Sequence, residues 1–201
     1  MAQDARPLRA DAARKRAQVL TAARAELEDM SATARQGETA RPARLSLDRV
    51  AARAGVGVAT VYRHFPTREA LLEAVYRGEL DELCAAAGPL SGGPAPDAAL
   101  RTWMDGYVAF VESKRAMGED LRGLVASGTV TQVETRSRLG AAVELFLRAG
   151  AADGVFRPGA RPEDVVAAMA GAVIAAAGEE RADQTRRLLD LLLAGLRAKR
   201  D

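Results

Sequence analysis

Apolar residues recur with a helical period along most of the chain, and polar, glycine- or proline-rich breaks divide them into segments. The spacing of Leu20, Ala23, Leu27 and Met30 predicts a first helix from about Ala12 to Met30, after a polar stretch 1–10 expected to be disordered. Ser31–Arg44, with Gly37 and Pro42, is too polar to pack and is expected to be a mobile surface loop. Leu47, Val50, Ala51 and Ala54 then mark one face of a short helix, for which the hydroxyl of Ser46 can accept an orphan N–H. Gly55 supplies the left-handed residue that ends it, Val56 anchors the turn, and Gly57 opens a second short helix. On that helix Val58, Val61 and Phe65 face inward, and Ala59, Thr60, Tyr62, Arg63 and His64 remain outside. Pro66 and Thr67 start the next helix, whose stripe of Leu72, Val75, Tyr76, Leu80, Leu83 and Ala87 runs to about Gly88.

Gly88–Asp97 reads as a loop. Beyond it the pattern predicts helices over Ala98–Met117, Glu119–Ser127, Thr131–Ala152, Glu163–Ala177 and about Ala182–Arg200, with Pro162 at a first turn. No segment has strand periodicity and no internal repeat is present. The fold class is all-α, with about nine helices.

Two short helices joined by a tight glycine turn form a helix-turn-helix, whose second helix enters the DNA major groove. The stretch AARAGVGVATVYRHFPTREALL, residues 51–72, resembles the TetR family of transcriptional regulators almost residue for residue, and GVGVATVYRHF is most similar to its SbtR-like branch. The resemblance implies a three-helix, homeodomain-like DNA-binding domain over residues 1–69. It implies a helical ligand-binding and dimerisation domain over 70–201, joined through the helix that starts near Arg68. The chain departs from the family after its first helix, where a Phe and a Gly usually stand and Leu27 and the long polar link stand instead.

The candidate DNA-contacting residues are Ser46, Val58, Ala59, Thr60, Tyr62, Arg63, His64, Thr67 and Arg68. Thr60 can bond a base edge and touch a thymine methyl, and Val58 and Ala59 offer apolar contact. The resemblance assigns Tyr62, His64 and Arg68 to phosphates, which position the helix without reading sequence. With few polar readers, DNA shape is expected to contribute to specificity. Arg14, Lys15 and Arg16 admit two readings, a solvated basic face or an arm on the DNA backbone, and the link arginines Arg35, Arg41 and Arg44 are placed to approach the DNA backbone.

Charge supports the same surface. The net charge of +2 conceals thirteen Arg and Lys against seven Asp and Glu in residues 1–68, and sixteen against twenty in the remainder. Aromatics make up only 4%. The single cysteine, Cys84, forms no intramolecular disulfide and no zinc spacing, and reads as a buried inert thiol. The single histidine, His64, lies in the DNA-facing run and leaves no catalytic triad to assemble. Phosphate-binding and nucleophile motifs are absent, so no enzyme, cofactor or metal site is expected. With no spanning apolar stretch and a polar, Arg-rich start, no membrane association is expected and the location is expected to be cytoplasmic.

Trp103, Tyr107 and Phe110, at i, i+4 and i+7, read either as plain core or as a pocket wall. In the second reading, which the resemblance favours, they join Tyr76, Met117 and Phe146 around a small apolar ligand. Ala168, Ala172 and Ala175 let a partner helix approach closely, and Leu188, Leu189, Leu192 and Leu196 form a surface too wide for one neighbour. Such helices from two subunits make the four-helix dimer interface that the family resemblance implies. The expected function is a homodimeric repressor of a palindromic double-stranded DNA operator, released by a small hydrophobic effector. The alternative is a helical ligand-binding or scaffold protein with a vestigial DNA-binding module.

Overall fold

A computed structural model describes residues 5–35, 44–176 and 180–198. These residues form eight helical segments: α1 (Ala5–Arg35), α2 (Leu47–Ala54), α3 (Val58–His64), α4 (Arg68–Ser91), α5 (Pro96–Ala126), α6 (Gln132–Ala152), α7 (Pro162–Ala175) and α8 (Arg181–Leu196). Gly118, with φ 50° and ψ −121°, breaks α5 into two helices, giving nine in all among the described residues. A positive φ with that ψ is open to glycine alone, which is why the break falls between Met117 and Glu119. The one extended pairing among the described residues is an isolated bridge between Phe156 and Arg197.

The chain divides into two compact units, Met1–Gly78 with Glu112–Thr129, and Glu79–Val111 with Val130–Asp201. In the first, α2 and α3 pack on α1 around Val19, Ala23, Leu27, Val50, Val61 and Phe65. Leu71, Leu72, Val75, Met117 and Leu124 extend this core. In the second, α6 packs on α7 and α7 on α8. Its core holds Leu100, Trp103, Met104, Phe146, Phe156, Met169 and Leu189.

Several boundaries differ from the periodicity. α1 begins at Ala5 and continues through the polar run to Arg35, so the link expected over Ser31–Arg44 is shorter; its residues 36–43 lie outside the described residues. Pro7 is compatible with this start, because a first-turn N–H has no helical partner to lose. α4 extends past Gly88 to Ser91, with Pro89 inside its last turn. α7 stops at Ala175 and α8 at Leu196, and residues 177 and 200, where these helices were expected to end, lie outside the described residues.

Close packing fixes the end of α6. A Cβ on Gly150 would stand 2.1 Å from the Phe156 ring, so only glycine lets that ring, 1% exposed, lie against the helix. The Gly150 carbonyl also accepts from the N–H groups of Val155 and Phe156, at 2.8 and 3.0 Å.

Candidate nucleic-acid interface

Each boundary of the helix-turn-helix is set by a local hydrogen bond. The Ser46 side chain accepts from the Arg49 N–H at the start of α2. Gly55, with φ 65° and ψ 32°, ends that helix, and the Val56 N–H returns to the Ala51 carbonyl at 3.1 Å. Val56 is half-buried rather than enclosed. Gly57 opens α3 without a side-chain cap, and the Phe65 N–H closes it on Val61 at 2.8 Å. Thr67 Oγ1 then accepts from the Ala70 N–H at 3.1 Å to start α4. Ser46 and Thr67, counted among the DNA-contacting residues, therefore have structural work as caps.

Burial orients α3 as a surface helix. Val61 and Phe65 are enclosed, Val58 and His64 are half-buried, and Thr60 is also half-buried. Ala59, Tyr62 and Arg63 are exposed, Tyr62 at 50%. Arg16 of α1 lies over the Phe65 ring, 5.2 Å from its centroid, a cation–π contact that ties the end of α3 to α1. Of the basic run at the start of α1, Arg14 and Lys15 both pair with Asp11.

Most arginines around this face are held by carboxylates. Glu26, 7% exposed, pairs with Arg49 and lies 3.6 Å from Arg53, which also pairs with Asp29. Arg68, assigned to a phosphate, donates to Asp120 of α5 at 2.8 Å and lies 3.3 Å from Glu69. That carboxylate stands 52 residues along the chain, and no spacing rule exposes such a pair in the sequence. Arg63 is different. Its Nε donates to the Ala59 carbonyl and its Nη2 to Thr60 Oγ1, both at 3.2 Å, and these acceptors are neutral.

In the second unit Trp103 and Phe146 stack at 5.8 Å with ring planes inclined by 47°, and the Trp103 indole donates to the Leu83 carbonyl at 2.8 Å. Tyr107 and Phe110 are buried on the same helix as Trp103. Tyr76 and Met117, expected beside them, belong to the first unit, where Lys114 stands 5.0 Å from the Tyr76 ring centroid. Of the proposed dimer residues, Ala168 and Ala175 are exposed and Leu188 and Leu192 half-exposed. Ala172, Leu189 and Leu196 are enclosed within the chain. The largest exposed apolar side chains of α7 and α8 were not singled out from the sequence: Ile174 at 79% and Leu191 at 69%. Their signal was present, since Ile174 follows Gly171 and Leu191 follows Leu188 at one-turn spacing.

Comparison with known proteins decides the family. The profile described as bacterial regulatory proteins, tetR family, matches residues 31–75, and that of the SbtR-like transcriptional regulator C-terminal domain matches residues 95–198. The chain belongs to the TetR family. A TetR regulator of Streptomyces coelicolor is 36% identical over 92% of this chain and 99% of its own, with a TM-score of 0.74. Another, from Mycobacterium vanbaalenii, is 28% identical over 96% and 100%, with a TM-score of 0.65. SmeT, the repressor of a Stenotrophomonas maltophilia multidrug efflux pump, shares the fold at 21% identity over 92% and 91%, with a TM-score of 0.56. No curated protein matches. As a TetR-family member the protein is a DNA-binding transcriptional regulator and not an enzyme, and such regulators bind operators and act as dimers. Among the described residues no helix is long and apolar enough to cross a membrane, and no acidic, His or Cys cluster could hold a metal.

Proposed function

We propose that this TetR-family regulator is a repressor that a small hydrophobic effector releases from a palindromic operator. The outer face of α3 carries the reading: Ala59, Thr60, Tyr62 and Arg63 stand on a short helix whose other side, through Val61 and Phe65, is core. Residues 1–69 serve as the DNA-binding domain and 70–201 as the ligand-binding and dimerisation domain. Thr60, with Val58 and Ala59, faces the base edges. Tyr62 and His64 contact phosphates, and Ser46 and Thr67 flank them at the helix starts they cap. Arg68 reaches a phosphate only by exchanging Asp120 for it, so its contribution is smaller than that of the unpaired cations.

The effector occupies the apolar interior of the second unit, with Trp103, Tyr107, Phe110 and Phe146 as its wall. Ligand favours a state in which the two recognition helices of the dimer no longer match half-sites about 34–36 Å apart. The dimer surface is α7 and α8, through Ala168, Ala175, Leu188 and Leu192, with Ile174 and Leu191 the largest apolar side chains it covers.

The test has two parts. Selection from a random duplex pool should return a palindromic site whose affinity falls steeply with salt. A panel of hydrophobic compounds should then include one that changes Trp103 fluorescence and releases that site, with release weakened in Tyr107→Ala while DNA affinity is kept. Release that survives truncation of each aromatic would reduce the stripe to core.

A further inference from the structure

We infer that Arg63, held in place by Thr60, reads a guanine edge in the major groove, and that Thr60 acts mainly as its positioning residue. This rests on the DNA-reading role proposed for α3.

Arg63 belongs to the last turn of α3, whereas a recognition helix meets base edges with its N-terminal residues. Its guanidinium is nevertheless drawn back by a turn. Nε reaches the Ala59 carbonyl and Nη2 reaches Thr60 Oγ1, each at 3.2 Å, so the charge lies beside the N-terminal half of the helix. Ala59 carries only a methyl group and Thr60 is half-buried, so neither stands between that charge and an approaching groove.

The two bonds use the side-on edge of the guanidinium. They leave the end-on edge, one N–H from each Nη, with the spacing of a bidentate donor pair. In the major groove guanine alone offers two adjacent acceptors, N7 and O6; adenine sets a donor beside its N7. Charge accounting points the same way. Arg49, Arg53 and Arg68 are each paired with a carboxylate, while Arg63 bonds only neutral acceptors within its own helix. It therefore meets DNA with its charge uncompensated and its rotamer already restricted, which lowers the entropy lost on binding.

The test uses the full-length protein and the site that it selects from a random duplex pool. Wild type, Arg63→Lys, Arg63→Ala and Thr60→Val are titrated against that site, each single-base variant and a random duplex, at several salt concentrations. Both Arg63 variants should lose about 10- to 100-fold of the preference for one G·C pair per half-site. Arg63→Lys keeps the charge but not the planar fork, so its non-specific affinity and salt slope should stay near wild type. Thr60→Val should relax preference at that same pair, with no further loss when combined with Arg63→Ala.

A uniform loss of affinity in Arg63→Ala, with every base preference intact, would make Arg63 a phosphate contact and overturn the assignment. Relaxation by Thr60→Val at a different base pair would overturn the positioning role. A wild-type protein that enriches no sequence defeats the DNA-reading role itself, an outcome distinct from either. Arg63 is exposed and Thr60 half-buried, and if Arg63→Ala fails to fold by circular dichroism, Arg63→Lys carries the test.

Discussion

At the scale of single residues, environment has already decided what each reactive group does. Cys84 is half-buried on α4, and burial pushes its thiol above its ordinary pKa; Arg138 pulls it down and Asp81 pushes it up by lesser amounts. Burial penalises the thiolate, so the reactive form appears only at higher pH. A thiolate-selective reagent at pH 8 should modify the native protein roughly tenfold more slowly than the denatured chain. The half-maximal rate should also lie at higher pH in the native state. Equal rates and equal midpoints would make Cys84 an open, reactive thiol. Around the helix-turn-helix the same logic governs arginine. Glu26, Asp29 and Asp120 hold three of the cations, each of which must give up a carboxylate to pair elsewhere, whereas Arg63 bonds neutral acceptors.

Two glycines separate two different reasons for needing glycine at the scale of the element. A Cβ on Gly55 would meet nothing within 4 Å, so only its φ of 65° resists substitution. Gly55→Ala should cost about 1–2 kcal/mol through backbone strain, and Gly55→Asn less. Gly150 has no such strain, and there the ring of Phe156 is the obstacle. Gly150→Ala should cost on the order of 1–3 kcal/mol, a fall in Tm of several degrees, and Phe156→Leu in the same chain should restore part of it. Recovery by the second change at Gly55, or its absence at Gly150, in thermal unfolding would reverse the two explanations. The helix-turn-helix was legible in the sequence because Ser46, Gly55, Val61, Phe65 and Thr67 act within four or five residues of themselves. The break at Gly118 was legible for the same reason. The reach of α1 was not, because the stop was read from the end of its apolar stripe at Met30. A helix continues through Ser31–Arg35 for as long as no residue ends it, and polarity alone does not. The ion pairs Arg68–Asp120, Arg101–Asp190 and Arg138–Asp81 had no sequence signal, since their partners meet only after the chain has folded. The doubling back of Arg63 was hidden for another reason: its acceptors lie at i−4 and i−3 on its own helix, and that spacing alone does not select a rotamer.

The scale of the whole molecule is that of the dimer. Ile174 and Leu191, 79% and 69% exposed in one chain, are the largest apolar side chains that the interface proposed on α7 and α8 would cover. Leu191→Arg or Ile174→Arg should set a charge against that copy and give a monomer in sedimentation, with helical content unchanged. Operator affinity should fall by more than tenfold, since a single recognition helix then holds one half-site. A dimer that persists in both variants would move the interface off these helices. Leu189 and Leu196 serve as the control, because they are core of a single chain and their truncation should unfold rather than dissociate it.

The discontinuity of the first unit sets a rule for recombining such regulators. Glu112–Thr129 returns to the helix-turn-helix after the chain has passed through the second unit, bringing Asp120 to Arg68 and the Thr129 carbonyl to Arg77 at 3.1 Å. A hybrid regulator made by cutting once after Gly78 would inherit Arg68 and Arg77 from one parent and their partners from the other. The exchange that preserves them has three junctions, after residues 78, 111 and 129, with residues 112–129 travelling alongside 1–78. The two units are thus interleaved along the chain, and exchange of one without breaking the contacts inside the other requires three cuts, not one.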